Sequence, residues 1–254
     1  MKMPHPALSF DNATIRKVQI GQDSIDVWMA PSIDHLLEEF IAAGQQNPEW
    51  NKQRCPFGAV LWPSARALWQ WLNADTSRYF QCAAAPTDSQ FKVLELGCGI
   101  GFFSALLASR TQWSITATDY EPAYAKYVEA NTQLHAKNKV QFETLDWSDP
   151  LPEHLTGRFD LVVACDVFYD DSHINSLPEV AAKLLKPSGS MLLADPERFR
   201  FTTAIKALSS HFERIANYQS AVTNSPDESG HSGVINPNQK STLVQILHCQ
   251  IPRT

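Results

Sequence analysis

The chain has 254 residues, 44% of them hydrophobic and 19% charged, a composition that fits one soluble α/β domain with an N-terminal extension. The formal net charge is -6 and no run of Lys and Arg occurs, so we do not expect a nucleic-acid substrate, which needs a basic face. No stretch approaches the roughly 18 unbroken apolar residues of a membrane span, and the first residues lack the apolar core of a signal peptide.

The cysteines are single and odd in number, and no CxxC pair occurs. Neither a zinc site nor a disulfide framework has this spacing. We therefore expect reduced thiols, no bound metal and a cytoplasmic location. The positions are Cys55, Cys82, Cys98, Cys165 and Cys249.

The N-terminal part is predicted to form a hairpin and two helices before a linker. Short β-rich runs flank the turn-like Gly21-Gln22-Asp23, Ser32 is placed to cap a helix, and Pro63 is placed to start another. The predicted segments are strands 14–20 and 24–29, helices 32–43 and from 63 onward, and a linker 82–90. We divide the chain into an N-terminal extension, residues 1–56, and a domain, residues 57–254.

From Phe91 onward, strand-like and helix-like segments alternate. The run 159–164 is apolar and β-rich, as expected for a central parallel strand that is buried on both faces. The predicted strands are 93–96, 114–118, 140–142, 159–164, 190–194, 212–218 and 242–249, and the predicted helices are 102–109, 121–136, 171–185 and 198–208.

This alternation predicts a doubly wound, mostly parallel, seven-stranded sheet with helices on both faces, a Rossmann-like fold. The last two strands follow one another without a helix, which predicts an antiparallel pair at one sheet edge, with the last strand antiparallel. In such sheets, ligands bind beyond the carboxyl ends of the strands.

The loop after the first strand of this sheet, Gly97-Cys98-Gly99-Ile100-Gly101, has three glycines in five residues. Glycine there lets the backbone approach a ligand without a Cβ. The dinucleotide fingerprint GxGxxG would need Gly or Ala at position 102, which is Phe102, and a nucleotide P-loop would need a Gly-Lys-Ser/Thr ending. The remaining common pattern is the GxGxG loop of enzymes that bind S-adenosylmethionine, which is the cofactor we predict.

Acidic residues follow the next two strands. Asp119 ends the second strand, where its carboxylate can accept hydrogen bonds from both ribose hydroxyls. The alternative is a cap for the helix that begins near Glu121. Asp146 and Trp147 follow the third strand and are placed for the edge and the face of adenine. The alternative there is an ordinary loop acid and a core tryptophan.

Together these segments resemble the class I, seven-β-strand methyltransferases, and more narrowly the group that includes many protein-lysine methyltransferases. The resemblance covers roughly Phe57 to the C-terminus. Its branch that modifies the electron-transfer flavoprotein β subunit is similar at Phe168-Tyr169-Asp170 and at Asp195-Pro196-Glu197-Arg198, although that branch has a glycine where Glu197 stands. The other matching segments are Gly58-Ala59-Val60-Leu61-Trp62-Pro63, the run from Val93 to Gly101, Asp119, Asp146-Trp147 and Asp166-Val167-Phe168-Tyr169.

The resemblance implies a role for each matching residue. Gly97, Gly99 and Gly101 would wrap the methionine part of the cofactor, with Glu95 nearby. The remaining cofactor contacts would be Asp119 at the ribose, Asp146 and Trp147 at the adenine, Trp62 closing the pocket, and Cys165 beside the reactive methyl group. Asp166 and Tyr169 match the DxxY motif, which lines the substrate channel of the lysine-modifying members.

The sulfonium is already an activated methyl donor, so the enzyme's main task is to place the nucleophile in line with the S–CH₃ bond. A lysine nucleophile must also lose its proton, because its pKa is about 10.4. Our hypothesis is that Asp166 orients the amine while Tyr169 packs or hydrogen bonds beside it. The alternative is that Asp166 caps a turn and Tyr169 is a wall aromatic.

The sequence therefore predicts a monomeric, S-adenosylmethionine-dependent methyltransferase that N-methylates a lysine side chain of a protein partner. One alternative is N-methylation of a small-molecule amine, with the N-terminal extension as a lid, because the fold alone does not choose the acceptor. A third hypothesis is a non-catalytic module that binds S-adenosylmethionine, against which the intact glycine loop and Asp119 argue.

Overall fold

The computed structural model of the protein describes residues 8–46, 55–74, 91–136, 138–169, 171–196, 201–223 and 241–251. The predicted linker 82–90 and the polar loop between the last two strands, residues 224–240, lie outside the described residues.

The N-terminal part forms the predicted hairpin and helices. The hairpin is antiparallel, with Thr14 opposite Met29, and its turn contains Gly21 at φ 59°. The Ser32 hydroxyl caps the following helix by accepting a hydrogen bond from the His35 N–H at 3.0 Å. The elements are β1 (Thr14–Ile20), β2 (Asp23–Met29), α1 (Ile33–Gln46), a 3₁₀ turn (Phe57–Ala59) and α2 (Pro63–Ala74).

A second, seven-stranded sheet has the order β5-β4-β3-β6-β7-β9-β8. Strands β3 to β7 are parallel, whereas β9 runs antiparallel to both β7 and β8. This confirms the doubly wound sheet and its antiparallel edge. The strands are β3 (Lys92–Leu96), β4 (Ser114–Asp119), β5 (Val140–Thr144), β6 (Phe159–Cys165), β7 (Leu185–Asp195), β8 (Arg214–Thr223) and β9 (Ser241–Gln250), and the helices are α3 (Phe102–Arg110), α4 (Tyr124–His135), α5 (Asp171–Leu184) and α6 (Phe201–Leu208).

Several boundaries differ from the prediction: β8 spans Arg214–Thr223 instead of 212–218, and α1 ends at Gln46 instead of residue 43. Two further differences have a clear local cause. The segment Pro187-Ser188-Gly189, predicted to be a break before a strand, lies inside β7, where the pairing shifts from Phe159–Leu185 to Leu161–Ser190. It forms a bulge, which is how a strand accommodates a proline and a positive φ, here 64° at Ser188. Helix α4 begins at Tyr124 rather than Glu121, because the preceding residues form a turn held by side-chain carboxylates.

Both faces of this sheet are buried. Neighbouring strand residues alternate between two cores, so that Val93 packs with α2, α3, α4 and the hairpin, while Leu94 packs with α5 and α6. Strand β3 pairs with β4 on one side and β6 on the other. The order of the strands along the chain reverses here, because β4 lies on one side of β3 and β6 on the other. The crevice between the carboxyl ends of β3 and β6 is where this type of sheet binds ligands.

The hairpin is attached to the sheet domain through Asn131 on α4, which is fully buried. Its side chain accepts a hydrogen bond from the Trp28 N–H at 2.8 Å and donates to the carbonyl oxygens of Trp28 at 3.0 Å and Ile100 at 2.9 Å. One amide group thus joins β2 to the glycine loop. Within the described part of the chain, every helix is too short or too polar to cross a membrane.

Candidate functional site

The glycine loop adopts a conformation that favours glycine at each of its three glycines. The φ angles are 67° at Gly97, 49° at Gly99 and 70° at Gly101, all in the left-handed region. A Cβ at Gly99 would lie 2.3 Å from the Gly58 carbonyl oxygen, and one at Gly101 would lie 2.7 Å from a methyl carbon of Val128. Gly99 is therefore required by a contact across the pocket, whereas Gly101 is required by the packing of α3 on α4.

The segment 55–62 closes over this loop. The Gly58 carbonyl oxygen accepts a hydrogen bond from the Ile100 N–H at 3.0 Å. The indole N–H of Trp62 donates to the Phe57 carbonyl oxygen at 2.9 Å, and the two rings meet edge to face at 6.5 Å. Sequence reasoning did not single out Gly58, because its partner Gly99 is distant in the chain and the contact exists only in the fold.

The segment and the loop enclose one pocket that brings together many of the predicted site residues. Those lining it are Trp62, Glu95, Gly97, Gly99, Cys165 and Asp166. Five others lie outside this lining, namely Gly101, Asp119, Asp146, Trp147 and Tyr169. The predicted role of Gly101 against the methionine part of the cofactor stays a prediction.

Two buried carboxyl groups stand behind the loop. Glu95, which is 3% exposed, accepts hydrogen bonds from the N–H and the hydroxyl of Ser104. Burial raises the pKa of Glu95 to about 7, although the bonds from Ser104 oppose the rise. Sequence reasoning missed Ser104, which lies in the first turn of α3, where unpaired helix N–H groups point toward an acceptor.

Asp119 lies directly against the loop. One carboxylate oxygen accepts from the Gly99 N–H at 2.9 Å, and the other accepts from the Glu121 N–H at 3.2 Å. Burial raises the pKa of Asp119 to about 7, and these backbone bonds oppose the rise. The side chain thus caps the turn before α4, as the alternative had it, and also touches the glycine loop. A positively charged ligand would favour the ionised form of both carboxyl groups.

Asp166 has a conformation that is uncommon for a residue with a side chain. Its φ is 57°, its N–H donates to the Ala194 carbonyl oxygen at 2.9 Å, and one carboxylate oxygen accepts from the Ser64 N–H at 2.9 Å. Ser64 is in the first turn of α2. The carboxylate therefore lines the pocket and caps a helix N-terminus at the same time. The alternative considered above was that Asp166 caps a local turn; it caps the N-terminus of α2 instead.

A row of rings lies beside Gly97. Tyr169 is 53% exposed, and its ring meets that of His173 edge to face at 5.0 Å. His173 in turn meets Trp147 at 4.8 Å, and Trp147 would be 3.5 Å from a Cβ at Gly97. Trp147 therefore lies next to the loop, and its contact with adenine stays a prediction. His173, which sequence reasoning did not select, connects Trp147 to Tyr169.

Asp146 forms hydrogen bonds within its own loop. One of its carboxylate oxygens accepts hydrogen bonds from the Ser148 N–H at 3.1 Å and from the Ser148 hydroxyl at 2.6 Å. This is the local turn of an ordinary loop acid, the alternative considered above. A contact between Asp146 and adenine stays a prediction.

The thiols in the site are not suited to nucleophilic chemistry. Burial raises the pKa of Cys98 and of Cys165 well above the ordinary value, and nearby carboxylates raise it further. Both are therefore neutral thiols. Among the described residues, no group of three or more His, Cys, Asp and Glu side chains could hold a metal ion.

The strand order, the left-handed glycine loop and the acids at the ends of β3 and β4 define the fold of the class I, S-adenosylmethionine-dependent methyltransferases. The glycines let the loop backbone pack closely against the covering segment and α4, and the buried acids suit a cofactor that carries positive charge. A solved structure agrees at the level of the fold: the N-methyltransferase NodS from Bradyrhizobium japonicum, in complex with S-adenosyl-L-homocysteine, superposes with a TM-score of 0.50 at 18% identity, covering 71% of this chain and 87% of that one.

Sequence comparison gives the family. The sequence model of the lysine methyltransferases matches residues 47–217, and the chain belongs to this family. The calmodulin-lysine N-methyltransferase of Arabidopsis thaliana is 28% identical over 60% of this chain and 54% of its own length. The electron transfer flavoprotein beta subunit lysine methyltransferase of Danio rerio is 27% identical over 68% of this chain and 62% of its own length. The chain thus spans between half and two thirds of these relatives.

Proposed function

We propose that the protein transfers a methyl group from S-adenosylmethionine to the side-chain nitrogen of a lysine in a protein partner. The observation that carries the proposal is the lysine methyltransferase match over residues 47–217, which includes the whole pocket described above. Two similar proteins are named for lysines in two different protein substrates, calmodulin and the electron transfer flavoprotein beta subunit. They support a protein acceptor without identifying it.

The residues present fit the cofactor. Gly97, Gly99 and Glu95 would hold its methionine part, Asp119 would accept hydrogen bonds from its ribose, and Trp62 would cover it. Its sulfonium supplies the activated methyl group. The chain's own contribution is to hold the cofactor and the amine in one orientation, which can lower the barrier by about 7 to 11 kcal/mol in well-aligned cases.

Asp166 is the residue best placed to orient the amine. Its carboxylate lines the pocket, and the bond from the Ser64 N–H together with the left-handed backbone fixes its direction. A carboxylate attracts the lysine ammonium on arrival and accepts its hydrogen bond, after which the proton leaves toward water. Tyr169 lies at the exposed end of the ring row, where its ring would pack along the lysine side chain and its hydroxyl would hydrogen bond beside the amine.

Substitution of Asp166 tests this role. An asparagine side chain would keep an oxygen for the Ser64 N–H but lose the charge, so we expect Asp166→Asn to lower kcat by about 100-fold, the cost of a misplaced reacting group, with little change in folding. Tyr169→Phe should raise the substrate KM a few-fold. Tyr218→Phe is the matched control, because Tyr218 is a partly exposed tyrosine that packs on Trp71 at 5.0 Å, on the edge strand β8. Full turnover and normal substrate affinity in Asp166→Asn and Tyr169→Phe would contradict the assignment.

The class of acceptor is tested by incubating the protein with methyl-labelled S-adenosylmethionine and a cell lysate. Label is then counted separately in protein, nucleic acid and small molecules. A discrete labelled protein that disappears with Gly99→Arg is the expected result. Label confined to small molecules would favour the alternative, N-methylation of a small-molecule amine. Binding of the cofactor without label in any fraction would favour the non-catalytic module.

We also propose a cytoplasmic, monomeric protein, on the ground of its single cysteines and ordinary globular composition. The division at residue 56 likewise stays a proposal. The family match begins at residue 47, and the Asn131 hydrogen bonds attach the hairpin to α4 and the glycine loop. These contacts favour an extension that is packed as part of the domain rather than a separate unit.

A further inference from the structure

A tyrosine hydroxyl is buried next to the cofactor pocket. Tyr124, the first residue of α4, is 1% exposed. Its hydroxyl oxygen is enclosed, and no described residue forms a hydrogen bond with it. A buried hydroxyl without a partner is unfavourable, and such groups are uncommon in native proteins. Phenylalanine would fill the same space without this cost, so the hydroxyl calls for an explanation.

The surroundings of the hydroxyl belong to the cofactor site. A Cβ added to Gly58 would lie 2.8 Å from the Tyr124 hydroxyl oxygen and 3.0 Å from the Gly99 Cα. The hydroxyl is therefore located where the covering segment 55–62 meets the glycine loop. The Gly99 N–H at this point donates to Asp119.

Asp119 and the Tyr124 hydroxyl both lie beside Gly99. Burial raises the pKa of Tyr124 well above its ordinary value, and the negative charge of Asp119 is the next largest cause. The phenol thus stays protonated and remains a hydrogen-bond donor. A donor, Tyr124, and an acceptor, Asp119, thus lie together beside Gly99, directly behind the residues that line the pocket.

We propose that Tyr124 is a cofactor-binding residue whose hydroxyl donates a hydrogen bond to a ribose oxygen of S-adenosylmethionine, beside Asp119. A ribose hydroxyl both donates and accepts, whereas an ionised carboxylate only accepts. Asp119 therefore satisfies the ribose protons, and the Tyr124 hydroxyl satisfies a ribose lone pair. The inference rests on the cofactor of the proposed function and does not depend on the methyl acceptor.

A second tyrosine on the same helix provides a matched control. Tyr127 is also buried, but its hydroxyl donates to the Ser9 carbonyl oxygen at 3.4 Å and its ring meets Phe10 at 4.9 Å. It faces the N-terminal segment instead of the pocket. Tyr124→Phe and Tyr127→Phe thus remove the same atom from the same helix at two different places.

The test measures binding of S-adenosylhomocysteine and of 5′-methylthioadenosine by calorimetry, together with thermal unfolding of the ligand-free protein. Both ligands contain the ribose, but only the first has the amino-acid part. We expect Tyr124→Phe to weaken the binding of both ligands by about 3- to 10-fold, as for one lost hydrogen bond between neutral groups, without lowering the Tm. Tyr127→Phe should leave both affinities within about twofold, because its bond lies outside the pocket.

Unchanged affinities in Tyr124→Phe would overturn the inference, and a loss confined to S-adenosylhomocysteine would overturn its ribose assignment in favour of the amino-acid part. If the unaltered protein binds neither ligand, the cofactor of the proposed function is wrong and this inference falls with it. If the unaltered protein binds both ligands but methylates no protein, the proposed function fails while the Tyr124 result still stands.

Discussion

Replacement of Gly99 by alanine should damage both the stability of the protein and its cofactor binding. The added Cβ would lie 2.3 Å from the Gly58 carbonyl oxygen and 3.0 Å from the Gly58 Cα, at a φ of 49°. Both neighbouring atoms are backbone atoms, which have no rotamer to change. The segment that covers the pocket must therefore move away from the loop.

The size of the effect can be separated into two parts with Gly157 as a control. Gly157 also has a left-handed φ, 65°, but a Cβ there would meet nothing within 4 Å. Gly157→Ala should cost about 1 kcal/mol from backbone strain alone. Gly99→Ala adds the loss of the bond from the Ile100 N–H to Gly58, about 1 kcal/mol, and the displacement of packed backbone, about 1–2 kcal/mol. We therefore expect about 2–3 kcal/mol more destabilisation at Gly99.

Urea unfolding of the two variants measures this difference, and calorimetry with S-adenosylhomocysteine measures its effect on the site. Gly99→Ala should weaken binding by at least tenfold, because the displaced segment carries Trp62, whereas Gly157→Ala should leave binding unchanged. Equal destabilisation by the two substitutions would refute the close contact between residues 58 and 99. Normal binding by Gly99→Ala would refute the role of that contact in closing the pocket.

Two other predictions follow from buried polar groups. Because burial raises the pKa of Glu95 and of Asp119 to about 7, both carboxyl groups are largely protonated at pH 6. S-adenosylmethionine should therefore bind more tightly at pH 8, and its binding near pH 6.5 should release protons from the protein. Equal affinity at pH 6 and pH 8, measured by calorimetry in two buffers, would contradict this. Because the pKa of each group is higher in the folded than in the unfolded protein, their contribution to the free energy of unfolding is fully present below about pH 4. That contribution is lost as the pH rises through 7. Asn131→Ala should cost about 3 kcal/mol, because it leaves the partly buried backbone groups of Trp28 and the buried carbonyl oxygen of Ile100 without this partner. Proteolysis should then cleave the hairpin faster. Gln133→Ala, at an exposed position on the same helix, is the control, and equal stability of the two variants would contradict the attachment.

The fold was predictable because each element has a local signal. The buried run 159–164 became the central strand β6, Ser32 and Pro63 mark the starts of α1 and α2, and the missing helix before the last strand gave the antiparallel edge. The misplaced boundary at β7 came from treating Pro187 as a break. A bulge preserves the pairing on either side of such a residue, and no local pattern distinguishes the two.

The candidate site was predictable where it follows strand ends and less so where it depends on packing. Asp119 was identified because it ends β4, whereas Glu95 and Asp166, which lie at or just after the ends of β3 and β6, came from the resemblance to the methyltransferase motifs. Gly58 was named only as part of the matching segment 58–63, and Tyr124 was not named, because the contacts of a loop glycine and a helix tyrosine exist only in the fold. Gly101 is the opposite case: it belongs to the motif, but its left-handed φ and its close packing on Val128 account for the glycine without any ligand.

The central claim is that the methyl group ends on a lysine of a protein. The most direct test is tandem mass spectrometry of the protein band that acquires label from methyl-labelled S-adenosylmethionine, with the Gly99→Arg variant run in parallel. We predict mono-, di- or trimethylated lysine at a discrete site, absent with the variant. Methylation of arginine, histidine or a carboxyl group at the labelled site would contradict the account.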